Sequence, residues 1–138
     1  MENFLAMYKD LSSDNLHLLQ NIYSSDIQFI DPAHEINGLG KLTEYFSTLY
    51  QNVISIDFNF KDVVQQHNSC YLQWDMTFRH KSLAGGKTIL VSGTTFLRLN
   101  DDHKVYFHRD YFDLGEMLYE HLPLLGRLLT TIKGRLGK

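Results

Sequence analysis

Two carboxylates, an imidazole and a phenol are the residues of this chain whose types and placing could move a proton. Asp31 stands immediately before Pro32, and Asp110 follows His108 by two residues in the run KVYFHRDYFDLGE, residues 104–116. Proline fixes its own φ and keeps the preceding residue out of the helical region, so the Asp31 carboxylate sits on a defined bend. The 104–116 run reads as a strand over 105–112 followed by a helix that starts at Asp113. In a strand, side chains alternate between faces, so Tyr106, His108, Asp110 and Phe112 share one side. A carboxyl group taken into apolar surroundings is pushed up toward the range useful for acid–base work. The chemistry expected is therefore proton transfer by Asp31 or Asp110, with Tyr8 and His108 holding a substrate oxygen. Each residue also has a structural explanation. Asp31 could bind nearby backbone N–H groups, and Asp110 could pair with His108 or Arg109. His108 could be a satisfied core histidine and Tyr8 a helix-packing residue.

These groups need an apolar enclosure, and the segment at 69–81 offers one. Its even-numbered side chains are Cys70, Leu72, Trp74, Met76, Phe78 and His80, while the odd ones are mostly polar. The next strand, 87–99, puts Ile89, Val91, Gly93, Thr95 and Leu97 on one face. Trp74, Met76, Phe78, Gly93, Thr95 and Phe112 are the expected wall of a ligand pocket. Ala84-Gly85-Gly86-Lys87 between the two strands suits a two-residue type I′ turn. That turn would set Met76 opposite Thr95, Phe78 opposite Gly93 and Trp74 opposite Leu97. A third turn at 100–103 returns the chain so that His108 and Asp110 face the same apolar side, provided the loop has two or four residues.

The remaining elements must position these strands. Phe4, Leu5, Tyr8 and Leu11 recur at helical spacing, and Ser12-Ser13-Asp14 would cap a second helix bearing Leu16, Leu19 and Tyr23. A short extended piece leads to Asp31, and Asn37-Gly38 turns into a third helix over about 39–52 with an apolar stripe from Leu42 to Tyr50. Ile54, Ile56, Phe58 and Phe60 alternate with polar residues, as in a sheet with one buried face. After the sheet, Asp113 and Glu116 have capping-box spacing. Pro123 then kinks or splits a terminal helix carrying Leu124, Leu125, Leu128, Leu129 and Ile132. Its apolar face is expected against its own domain or a twin subunit, a lipid-facing role being the lesser reading.

The bulk numbers bound the class. A chain of 138 residues, 43% hydrophobic, fits one domain over 1–138 with one core. A net charge of −3 gives no electrostatic case for nucleic acid. A lone cysteine, Cys70, fits a reducing compartment, and no stretch reads as a signal peptide or membrane span, so a cytoplasmic location is expected. No metal or cofactor is expected: the histidines include no HExxH, and Gly85-Gly86 has no following helix to bind phosphate. Helices first, then an antiparallel meander, then a last helix make an α+β fold. The expected form is a cone-shaped barrel, a curved antiparallel sheet wrapped around the N-terminal helices.

With those residues in view, the chain resembles the nuclear transport factor 2-like superfamily in its SnoaL-like branch. The resemblance rests on YSSDIQFIDP at 23–32, the Gly38 turn into the third helix, and the hairpins, and it covers nearly the whole chain. Residues 23–32 look like the stretch of bacterial ketosteroid isomerase that carries its general base, with Asp31 at the base position. Tyr8 falls close to that enzyme's hydrogen-bonding tyrosine. Where the isomerase uses a protonated aspartate in its oxyanion hole, this chain has Thr95. RDYFD at 109–113 is similar to the closing strand of limonene epoxide hydrolase, with Asp110 matching a water-activating aspartate. Met76 and Phe78 stand where that enzyme has an arginine and a second aspartate. The resemblance implies a small-molecule pocket with lyase, isomerase or cyclase chemistry, and a homodimer through the sheet's outer face. The alternatives are a non-catalytic carrier or sensor of a hydrophobic ligand and an interaction module working through Leu125 and Leu129. A small hydrophobic molecule is the expected partner in the first two.

Overall fold

The computed structural model describes residues 1–137. Its elements run α1 (Glu2–Asp10), a 3₁₀ turn (Leu16–Asn21), β1 (Tyr23–Ile30), β2 (Glu35–Asn37), α2 (Leu39–Asn52), β3 (Val53–Gln66), β4 (Ser69–His80), β5 (Ile89–Leu99), β6 (Val105–Phe112), α3 (Leu114–Met117), a 3₁₀ turn (Tyr119–His121) and α4 (Pro123–Leu136). The strands form one curved sheet in the order β2-β1-β6-β5-β4-β3, and the sheet does not close into a barrel. The α+β class and the order of helices and strands agree with the sequence pattern. The sheet is mixed, not wholly antiparallel, because β1 runs parallel to β6.

Alternation along the strands sets the inner face. Cys70, Leu72, Trp74, Met76 and Phe78 of β4 are buried, as are Ile89, Val91 and Leu97 of β5. They meet Phe4, Leu19, Ile22, Ile27 and Phe29 from the N-terminal third, and Leu42 and Phe46 of α2. Gly38 starts α2 with φ +96°, a conformation that suits glycine, and its N–H donates to the Ile27 carbonyl.

Several expectations change in detail. The second helix is a six-residue 3₁₀ turn, and Tyr23 belongs to β1 instead. The β4–β5 register puts Met76 opposite Val91, Phe78 opposite Ile89 and Trp74 opposite Gly93, four residues from the tight-turn expectation. Leu83 dips into the core, and Ala84, Gly85 and Gly86 all take positive φ, so the connection is longer than a two-residue turn. Because the shift is even, both apolar faces still look inward. Asp110 lies opposite Thr95 and His108 opposite Leu97, inward as expected. A bulge near Arg98 and Leu99 turns Tyr106 out to the surface, away from the face it was expected to share with His108. Asp113 caps α3 by accepting from the Gly115 and Glu116 N–H groups. α3 is only one turn, and Pro123 splits the terminal helix as expected, opening α4.

Candidate functional site

A cavity of about 420 Å³ opens between α2, the inner face of the sheet and α3. Apolar side chains make most of its wall, among them Phe29, Phe46, Phe58, Trp74, Met76 and Phe112, with Leu114, Met117 and Leu118 from the segment after β6. Asp31 and Asp110 both line it, although 78 residues lie between them in the chain. The topology explains this meeting: β1 delivers Asp31 at its C-terminal end beside β6, and β6 carries Asp110.

The two acids sit in different environments. Asp31 is saturated with donors. Its Oδ1 accepts from the Ala33 N–H at 2.8 Å, the His34 N–H at 2.7 Å and the His34 ring at 3.1 Å. Its Oδ2 accepts from the Tyr45 hydroxyl at 2.8 Å. Burial, reinforced by the Asp31 charge, pushes the Tyr45 phenol far above its ordinary range, so it stays a donor. This is an Asx turn closed by a tyrosine, and it holds the β1–β2 corner.

Asp110 uses one oxygen for structure. Oδ1 accepts from the Thr95 hydroxyl at 2.6 Å and bonds His108 Nε2 at 2.7 Å. Among the described residues, Oδ2 has no protein partner, and the side chain is 18% exposed on a residue that lines the cavity. Behind it runs a buried line of polar groups. Trp74 Nε1 donates to Thr95 Oγ1 at 2.8 Å, so the threonine can pass its own proton only toward Asp110. On the other side, His108 Nδ1 meets the Tyr23 hydroxyl at 2.8 Å, and Tyr23 meets the Tyr8 hydroxyl at 2.7 Å. A carboxylate only accepts, so His108 carries hydrogen on Nε2. With the ring neutral, Tyr8, Tyr23 and His108 donate in sequence toward Asp110. Burial raises both phenols well above their usual value, so neither ionises near neutral pH. The imidazole lies among Phe4, Tyr8, Tyr23 and Phe29, the last at 4.5 Å between ring centres.

The residues expected from sequence fall into two groups. Asp31, Asp110, Tyr8, Trp74, Met76, Phe78 and Phe112 line the cavity. His108, Thr95 and Gly93 stand behind the wall. His108 is buried with both ring nitrogens engaged, so it acts on Asp110 and does not reach a ligand oxygen. Gly93 is filled over by Trp74: a Cβ there would overlap the indole and crowd the Tyr111 carbonyl. Its small size serves that packing. Tyr23 and Tyr45 carry polar roles that apolar periodicity hid, since both read as core positions. The available signal was general: a buried tyrosine hydroxyl needs a partner. No three His, Cys, Asp or Glu side chains among the described residues converge to hold a metal ion.

An open curved sheet folded over helices, with a small apolar cavity in its hollow, is the nuclear transport factor 2-like class of fold. Within that class the chain belongs to the SnoaL-like domain family, whose model matches residues 4–108. Solved structures agree on the fold. An NTF2-like protein of unknown function from Exiguobacterium superposes with a TM-score of 0.65 at 19% identity, covering 80% of this chain and 98% of that one. A hypothetical protein with a ketosteroid isomerase-like fold from Catenulispora acidiphila, in complex with trimethylamine, gives 0.70 at 15% identity over 79% and 84% of the two chains. A protein from Shewanella denitrificans, assigned as a SnoaL-like polyketide cyclase, gives 0.70 at 17% identity over 84% and 92%. In sequence, an uncharacterized ATP-dependent helicase of Mycoplasma genitalium is 24% identical over 127 residues; the match takes in 89% of this chain, which spans 12% of that protein's length.

Proposed function

We propose that this protein binds a small, largely hydrocarbon molecule bearing a carbonyl-type oxygen and moves a proton on it with Asp110. The reaction would be of the lyase, isomerase or cyclase kind. One observation carries the reading: Asp110 is fixed through Oδ1 by Thr95 and His108, while Oδ2 on the same cavity-lining residue takes no donor from the described residues. A general base needs that combination of fixed direction and a free lone pair. Asp31, with both oxygens engaged, shapes the cavity wall and holds Tyr45 in place; it serves the proton transfer only by positioning. Trp74, Met76, Phe78 and Phe112 hold the hydrocarbon body. The enclosure supplies an environment of low polarity, where one well-placed carboxylate has its largest effect.

A carrier without turnover is the second reading, and the saturation of Asp31 favours it, since only one carboxylate is left for chemistry. Replacing Asp110 with Asn separates the two: a carrier would change in affinity alone, whereas an enzyme would lose proton transfer on a ketone held in the cavity. The protomer is further proposed to pair with a second copy through the outer sheet face, where Tyr71 stacks on Phe96 and Phe96 contacts Phe107. Tyr71 and Tyr111 are half exposed there, a large aromatic surface for a monomer to leave in water.

A further inference from the structure

The terminal helix carries its apolar side outward. Leu124, Leu125, Leu128, Ile132 and Leu136 fall on one arc of α4 and are all exposed, Leu124 and Leu136 at 83% and Leu128 at 57%. On its other side the helix meets the body at two points. Gly126 sits so close to the Glu120 carbonyl that no Cβ would fit, and Lys133 reaches back to Asp113 and Glu120. A surface helix ordinarily does the reverse. The expectation that this arc packs on its own domain therefore does not hold.

Charge says what covers it. From Leu122 to the end of α4 the sequence has Arg127, Lys133 and Arg135 and no acid, in a chain whose net charge is −3. Lys133 is used internally, while Arg127 and Arg135 make no ion pair among the described residues. A second copy of α4 laid on the arc would offer these arginines no acid to pair with. An outward leucine arc with Arg127 at its edge and Arg135 in its last turn, and no acid, is the composition of a helix that lies in a lipid interface.

We propose that α4 docks this protein on an anionic bilayer surface, the leucine arc entering the acyl boundary and Arg127 and Arg135 meeting lipid phosphates. The helix leads directly back to Leu118, Met117 and Leu114, which line the cavity wall. On the reading of the cavity given above, its ligand would then be one that partitions into the bilayer; the docking itself does not depend on that reading.

The test is flotation of the 138-residue chain with vesicles of phosphatidylcholine alone or containing about 30% phosphatidylglycerol. The expected result is binding to the anionic vesicles, weak binding to the neutral ones, and loss of binding as salt rises. Leu128→Ser with Ile132→Ser should reduce binding at least about tenfold, since both side chains are already in water and the fold does not need them. Arg127→Ser with Arg135→Ser should reduce it by roughly twenty-fivefold, about fivefold for each basic group. Circular dichroism confirms that the variants stay folded. Equal binding to neutral vesicles, or none to either, overturns the proposal. So does a leucine-arc variant that splits a dimer in light scattering while wild type ignores vesicles, which would assign the arc to a second copy. Asp110→Asn should float like wild type, so failure of the catalytic reading would leave this result unaffected.

Discussion

Tyr23 Oη and His108 Nδ1 lie 2.8 Å apart in the core, joining β1 to β6 across 85 residues of sequence. That single contact ties the N-terminal helix, through Tyr8, to the carboxylate on the cavity wall. Tyr23→Phe removes the hydroxyl and leaves a buried ring nitrogen with no partner. The expected cost is about 1–3 kcal/mol in urea unfolding. A simple packing defect would do the same, so the distinguishing reading is the ¹⁵N resonance of His108 Nδ1. It should move toward that of an unbonded imine nitrogen while Nε2 keeps its hydrogen; an unchanged resonance would mean the line of donors is not formed.

Trp74 and Gly93 make a second mutual dependence, because the indole occupies the space a side chain at 93 would take. Gly93→Ala should destabilise by about 1–3 kcal/mol, the usual result of overfilling a packed site. It should also weaken the indole's bond to Thr95 and so loosen Asp110, which a change in tryptophan emission would report. Adding Trp74→Phe should recover part of the loss, a coupling that a double-mutant cycle measures. Strict additivity of the two changes would contradict this account.

The buried phenols give the protein an alkaline limit. Burial raises Tyr50 to about 12, and Tyr8, Tyr23 and Tyr45 also lie above their ordinary value for the same reason. A folded-state value above the unfolded one, near 10, means the stabilisation is complete below about pH 10. It declines as pH climbs from there through the folded-state values, since the unfolded chain releases protons first. Phenolate absorbance from these residues should therefore appear together with loss of the circular dichroism signal. Full tyrosine ionisation near pH 10 in a protein that still gives a native spectrum would show that the hydroxyls are not buried.

Much of the fold was legible because it depends on local chemistry. Gly38 and the stripe from Leu42 mark α2 at the boundaries observed, and alternation assigns the buried faces of β4 and β5 correctly. The hairpin register was misread by four residues because Leu83 is held by distant core contacts that a turn motif does not reveal. Parallel pairing of β1 with β6 was hidden for the same reason, having no turn to announce it. In the site, both aspartates were visible as polar residues in apolar stretches. Their difference was not, since it is set by partners such as Tyr45 and Thr95 that are far away in the chain.

The central claim is that Asp110 moves a proton for a ligand in the cavity. The direct measurement is deuterium uptake at the α-carbon of β-tetralone in D₂O, followed by NMR, with wild type and Asp110→Asn compared at matched folding. Wild type should exceed buffer, and Asp110→Asn should fall by about 10²–10⁴-fold, the usual worth of a positioned general base. Equal rates for the two proteins, or no uptake above buffer with the ketone bound, would contradict the claim.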